Sequence, residues 1–147
     1  MKNHDSPMAQ QVAEAISEIQ EQRTGHPPKA VTVVLSDNTL VVTLHEALSP
    51  AEKSLASTSE GATQVQEFHR QLFNASADFL CKEIERITGV AVGEAAAEVE
   101  TMTGAVVHAF TSGAMIQVFQ LAGNISLEAW NGNGPGDQKE HKEGMQC

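Results

Sequence analysis

The chain has 147 residues, with nine Lys or Arg against nineteen Asp or Glu and a formal net charge of −10. This length suits one domain of ~100–150 residues with its own core. The acid excess argues against nucleic acid, which needs clustered Lys and Arg, and against a polybasic membrane anchor, while an aromatic content of 4% argues against a surface that stacks bases or sugars.

The first predicted element is a helix that begins near Ser6 and Pro7. Ser6 is a favoured capping residue, and proline suits the first helical position. Apolar residues then recur at three- and four-residue spacing as far as Thr24 and Gly25, which end the helix.

Two strands are predicted next, because β-branched residues fill positions 30–35 and 39–45. Only the turn cluster at 36–38 separates them, which predicts an antiparallel hairpin. One face of this hairpin is strongly apolar and the other is mixed. Such a pattern is typical of a sheet that helices cover on one side.

Capping boxes predict the next two helices. In the first, Ser49 caps, Pro50 takes the first helical position and Glu52 reaches back to the cap. The stretch 57–60 repeats the spacing and begins the longest helix, which runs to about Thr88. We expect its broad apolar face to be the centre of the core. That face includes three of the phenylalanines: Phe68, Phe73 and Phe79.

The remaining strands are less sharply signalled. In residues 90–99 the alanines favour a helix, whereas the valines, Gly93 and the turn at 101–104 favour a strand. Residues 105–111 form a firmer strand, and 114–121 favour a strand over a short helix. The predicted fold is α+β, with an antiparallel sheet of four or five strands, a long helix packed on one face, and the order α-β-β-α-α-β-β(-β).

The domain boundaries and the location follow from composition. We expect a flexible N-terminus at 1–7, a single domain at 8–122, and a polar, disordered tail at 123–147. The sequence shows neither a signal peptide nor ~18 consecutive apolar residues, and two cysteines are too few for the disulfide framework of a small secreted domain. We therefore predict a cytoplasmic protein without direct membrane insertion, which leaves a peripheral role at a membrane complex open.

Four stretches of the sequence carry a family resemblance. They are Gly25-His26-Pro27-Pro28-Lys29; Leu48-Ser49-Pro50-Ala51-Glu52-Lys53-Ser54-Leu55; Thr58-Ser59-Glu60-Gly61; and Ile87-Thr88-Gly89-Val90 leading to Thr103-Gly104. With them, about residues 8–111 resemble the MpsC-like family, which is named from a sodium-translocating membrane-potential-generating system. The family often has a His and an Asp two apart in the third strand. Ala96 and Glu98 stand there in this sequence, so a family site that uses that His would be missing.

The resemblance implies a small cytosolic protein, linked in some members to membrane bicarbonate or cation uptake, with no defined reaction. The sequence also lacks a Gly-x-Ser-x-Gly elbow, a Cys-x-x-Cys pair and a phosphate loop, so we predict neither catalytic residues nor a cofactor. We expect a non-enzymatic accessory or regulatory protein of a membrane uptake system that acts by protein–protein association. We also expect a homodimer formed through exposed strand edges.

The alternative function is a small-anion or nucleotide-sensing domain that uses Lys29 and Lys53. Four charged residues are candidates for a patch that binds a partner or an anion: Lys29, Glu52, Lys53 and Glu60. The structural alternative is that Ser49, Pro50 and Glu52 only cap a helix, and the complete capping box favours that interpretation.

Three histidines are candidates for a metal site: His45, His69 and His108. A three-histidine zinc site needs all three to converge and to leave a fourth position open. No local motif such as His-x-x-x-His supports that geometry. We therefore predict no metal and interpret these residues as hydrogen-bonded core or boundary histidines.

Overall fold

The computed structural model describes residues 7–94, 107–109 and 114–132. Helices and strands are mixed along the chain, which confirms the predicted α+β class and element order. In chain order the elements are α1 (Met8–Thr24), β1 (Ala30–Ser36), β2 (Thr39–His45), α2 (Pro50–Leu55), α3 (Ser59–Thr88), β3 (Val92–Glu94), β4 (Val107–Ala109), β5 (Met115–Leu121) and α4 (Leu127–Trp130). The segment 114–121, for which a helix was the alternative, is a strand.

The five strands form one antiparallel sheet with β5 in its interior. β1 and β2 are the predicted hairpin, with Val33 opposite Val42, and β2 pairs on its other side with β5, where Val42 faces Gln117. β3 and β4 both pair with β5 along its second edge, at opposite ends of the strand. Of the predicted strands 90–99 and 105–111, residues 90–94 and 107–109 are described. The others, including Ala96 and Glu98, lie outside the described residues.

One face of the sheet forms the core together with α1 and α3. Alternate residues of β2 and β5 are buried, and the most deeply enclosed include Leu40, Val42 and Phe119, each at 0% exposure. Phe119 contacts Phe73 of α3, with their ring centroids 5.7 Å apart. The inward side chains of β1 are only half-buried, because this strand lies at the edge of the sheet.

Part of the segment predicted as a tail is described. Residues 123–132 include α4, whose last residue, Trp130, is 8% exposed. α4 contacts α1, and a Cβ on Gly132 would come within van der Waals distance of Pro7. The predictions for the two ends of the chain also concern residues 1–6 and 133–147, which lie outside the described residues. The domain boundaries stay predictions.

The first predicted capping box is confirmed, and the second is displaced by one residue. Thr58, rather than Ser57, caps α3, because its hydroxyl accepts the Gly61 N–H at 3.0 Å. The Ser57 hydroxyl instead donates to the Ser54 carbonyl and closes the end of α2. Two overlapping Ser/Thr-x-x spacings occur here, and the structure uses the later one.

Gly61 is required where α2 and α3 meet. A Cβ at this position would overlap the carbonyl oxygen of Leu55. The absence of a side chain lets the first turn of α3 pass directly over the last residue of α2. This close approach places α2 along the N-terminal part of α3, where the charged residues of the capping box can reach it.

Candidate functional site

The candidate site is built on the carboxylate of Glu52, which contacts two different elements. One oxygen, Oε1, accepts the backbone N–H of Ser49 at 2.9 Å and completes the capping box of α2. The other, Oε2, lies 2.9 Å from Nε2 of His69 on α3. Glu52 therefore caps one helix and ties it to the next through a side chain 17 residues further along the sequence.

Several opposing influences set the acidity of Glu52. Burial raises the pKa of the carboxyl group. The backbone N–H of Ser49, the contact with His69 and the Ser49 hydroxyl together lower this pKa by more, so that the net shift is downward from 4.5. The carboxylate form is thus favoured, and a carboxylate can only accept hydrogen bonds. It follows that Nε2 of His69 carries the proton of this contact.

His69 is among the most deeply buried polar residues that the structure describes, at 1% exposure. The ring of the preceding Phe68 stands edge-on to the imidazole, with centroids 5.2 Å apart. While Nε2 contacts Glu52, Nδ1 has no hydrogen-bond partner among the described residues. The histidine is therefore held in one orientation, with a second polar atom still to be satisfied.

A small cavity lies between α1, α3 and β5 and includes this histidine in its wall. Its volume is ≈ 10 Å³, about the space needed for one water molecule. Its polar lining comes from Gln20, Arg23, His69, Ser76 and Gln117. Gln117 is 3% exposed, and its Oε1 also has no partner within the described part of the chain. The cavity thus brings several polar side chains together within a mostly apolar lining.

The other predicted charged residues lie on separate elements. Lys29 precedes β1 with an exposed side chain, and its backbone N–H donates to the His45 carbonyl at 2.8 Å. Lys53 lies on α2 and Glu60 in the first turn of α3, both exposed. The structural role of Glu52 as a cap is present together with its contact to His69. A patch that gathers all four residues, or an anion site at the two lysines, stays a prediction.

The histidines considered for a metal do not share one site. His45 lies on the outer face of the sheet, where its Nε2 is 3.0 Å from Oγ1 of Thr32, whereas His69 lies in the core beneath the opposite face. The side chain of His108 lies outside what the structure describes. Within residues 7–94, 107–109 and 114–132, no group of three or more His, Cys, Asp or Glu is placed to hold a metal ion.

The broad apolar face of α3, which was predicted to be the centre of the core, is buried only in part. Phe68 and Phe79 are 46% and 48% exposed, and Leu72 between them is half-buried. We call these three residues the α3 stripe. They follow the spacing i, i+4, i+11, which places them along one line of the helix. Among the described residues, the sheet and α1 cover the neighbouring part of the face and leave about half of each of these two phenylalanines exposed.

The sequence pattern indicates that His69 is buried but does not indicate that Glu52 is its hydrogen-bond partner. His69 is four residues from both Val65 and Phe73, and both of these are buried. This spacing places the histidine on the inward line of α3. The contact with Glu52 depends on how α2 folds back onto α3, and no local pattern encodes that.

Comparisons with known proteins add a family match. The family model described as "Na+-translocating membrane potential-generating system (MpsC)" matches residues 4–113. The comparisons with curated proteins and with solved structures gave no match. No helix in the described part of the chain has the length and apolar character needed to cross a bilayer.

Proposed function

This chain belongs to the MpsC family, and on that premise we propose that it is a non-catalytic accessory protein of a membrane bicarbonate or cation uptake system. The proposal has the protein act from the cytoplasm by binding a membrane protein of that system. The family description, which names a Na+-translocating system, supports the connection to ion transport. The observation that carries the mode of action is the α3 stripe.

The α3 stripe has the composition of a protein-binding surface. Aromatic residues are enriched at interfaces, and two phenylalanines about half exposed on one helix are costly to leave in water. The stripe runs along a regular helix, so it suits a second helix that packs lengthwise against it. Helix-against-helix recognition uses anchors at this kind of spacing.

Charge indicates which kind of helix the stripe would bind. Glu67 and Asp78 are exposed and directly precede Phe68 and Phe79 in the sequence, and the whole chain carries a formal net charge of −10. A basic amphipathic segment complements this surface, because its apolar side meets the stripe and its Lys or Arg residues meet the carboxylates. Membrane proteins concentrate Lys and Arg in their cytoplasmic loops. We therefore commit to a Lys/Arg-rich cytoplasmic segment of a membrane transport protein as the occupant.

The contact between α2 and α3 supports helix binding along this side. Gly61 lies seven residues before Phe68, on the same line of the helix, and α2 covers it. Leu55 at the end of α2 is 48% exposed and adds an apolar group near that end. A partner helix on the α3 stripe would continue the row of contacts that α2 begins.

Self-association is the second part of the proposal. β1 is an edge strand of the described sheet, and its inward residues are half-buried where those of β2 are buried. Pairing of two β1 strands across a two-fold axis would add cover to these residues. Light scattering coupled to gel filtration should then give the mass of a dimer, and a monomer at every concentration tested would contradict this part.

The binding proposal is tested by capture from detergent-solubilised membranes of the source cell. We expect the wild-type chain to retain an integral membrane transport protein, and the double variant Phe68→Ser/Phe79→Ser to lose it. Val34→Ser is the matched control, because Val34 is 52% exposed but lies on the outer face of the sheet. A synthetic peptide from the Lys/Arg-rich loop of the captured protein should bind the wild type and weaken as salt is raised.

Two results would overturn the proposed function. One is that no transport protein is retained by the wild-type chain. The other is that the double variant retains it as well as Val34→Ser does, which would place the binding surface elsewhere. Circular dichroism of both variants checks that the helices remain, so that a lost interaction is not a lost fold.

A further inference from the structure

We propose that the cavity between α1, α3 and β5 binds a single water molecule that bridges His69 and Gln117. This site does not rest on the proposed function, although Leu72 of the α3 stripe also lines the cavity. Two buried polar atoms without a partner among the described residues, Nδ1 of His69 and Oε1 of Gln117, belong to residues that line the same cavity. A buried polar atom without a hydrogen-bond partner is destabilising, so two such atoms on one cavity indicate a bound molecule that satisfies both.

The chemistry of the two atoms decides what the occupant must offer. We assign His69 a single ring proton on Nε2, which donates to the Glu52 carboxylate, so that Nδ1 is an acceptor. Oε1 of Gln117 is a carbonyl oxygen and also an acceptor. Two acceptors cannot satisfy each other. The occupant must therefore donate two hydrogen bonds, one to each residue.

The size of the cavity and the positive charge of a residue that lines it indicate that the bound molecule is water. A volume of ≈ 10 Å³ has room for the centre of one water-sized molecule and not for an organic ligand. Ammonium has a similar size and can donate as well. Arg23 also lines the cavity, and its permanent positive charge disfavours a second cation there. Water is neutral, donates two hydrogen bonds and fits.

The bound water would complete a continuous polar chain through the core. The chain runs from Ser49 through Glu52 and His69 to the water, and from there to Gln117. Gln117 lies on β5, opposite Val42 of β2, so the chain would connect α2 with the interior of the sheet. His69 would then be hydrogen-bonded at both nitrogens and fixed in one tautomer.

The test is a high-resolution crystal structure of the full chain combined with nitrogen NMR of the histidine ring. We expect an ordered density feature within hydrogen-bond distance, ~2.7–3.2 Å, of both Nδ1 of His69 and Oε1 of Gln117. The NMR spectrum should show the tautomer with its proton on Nε2. Gln117→Leu should shift the Nδ1 resonance of His69 and remove the density feature. Gln120→Leu, which alters the same strand on its opposite face, should do neither.

Each other outcome overturns the proposal. An empty cavity, or a Gln117 amide turned so that its nitrogen donates directly to Nδ1, means that no water is needed. A proton on Nδ1 means that the histidine is not an acceptor there. Density present only in crystals grown from ammonium salts identifies a cation instead of water. If Gln117→Leu does not fold, the wild-type density and the wild-type tautomer still decide the question.

Discussion

Phe68 and His69 are neighbours on α3, yet the phenylalanine is 46% exposed and the histidine is 1% exposed. This order is the reverse of what side-chain hydrophobicity favours. One residue turns the helix by ~100°, which takes the chain from the open stripe to the line that faces the sheet. Position around the helix axis therefore determines which residue is buried. A polar residue lies at the buried position and an apolar residue at the exposed one, against the usual preference of both side chains.

The two sides of α3, the one that faces the sheet and the one that carries the α3 stripe, therefore differ in their expected roles. On the inward side, a buried histidine is tolerated because the Glu52 carboxylate accepts a hydrogen bond from it. On the outward side, Phe68 and Phe79 stabilise the isolated domain less than a buried phenylalanine does, because about half of each side chain is in water. Inward residues should therefore matter for folding, and outward residues for binding.

The largest difference in stability is expected between a buried and an exposed phenylalanine of α3. Phe73→Ala removes a ring that is 3% exposed and contacts Phe119, and we expect it to lower the free energy of unfolding by about 3–5 kcal/mol. Phe79→Ala, on the same helix, should lower it by only about 1 kcal/mol, because about half of that side chain is already in water. Urea denaturation measures both. Equal losses would show that the exposed side is also part of the core.

A second substitution tests where the exposed side ends. Gly61 lies on the same line as the α3 stripe but is covered by α2, and Gly61→Ala would force a Cβ against the Leu55 carbonyl. We expect a loss of about 1–3 kcal/mol from this overpacking, measured by urea denaturation. Ser59→Ala, an exposed position two residues earlier, is the control. A neutral Gly61→Ala would mean that α2 is not fixed on α3.

The smallest effect concerns the pH dependence of the inward side. The pKa of Glu52 is lowered in the folded state from 4.5, so its contribution to stability is complete above that pH and is lost as the pH falls through the folded pKa. Between neutral pH and the acid range, wild-type unfolding free energy should fall more steeply than that of Glu52→Gln, most of all below about pH 4.5. Denaturation curves at a series of pH values compare the two. Parallel curves would show that the His69 contact does not bias this carboxyl group.

Much of the fold was predictable because its signals are local. Ser49, Pro50 and Glu52 mark a helix start within four residues, and the turn at 36–38 between two β-branched runs marks a hairpin. The same locality explains the displaced cap at Thr58, since two spacings compete within adjacent residues and only the geometry of Gly61 selects one.

The candidate site was harder to predict because it is made by tertiary contacts. Glu52 and His69 were both singled out in the sequence, but for separate reasons, and their contact needs α2 to fold back onto α3. The width of the apolar face of α3 was also misleading. A periodic pattern shows that a helix has such a face but not how much of it the sheet covers, so Phe68 and Phe79 were assigned to the core.

The ends of α1 and α3 carry a consequence for the order in which the protein assembles. In each, a threonine hydroxyl is 2.7 Å or 2.8 Å from the carbonyl oxygen four residues back and accepts the N–H two residues ahead, and the glycine between them has φ near +78°. The same local hydrogen-bond pattern thus ends both helices, at Thr24-Gly25 in α1 and at Thr88-Gly89 in α3. β2 and β5, in contrast, must find each other across some 70 residues of intervening chain. Because the helix ends are fixed by local contacts and the β2–β5 pairing closes a long loop, we expect the helices to form before these strands pair.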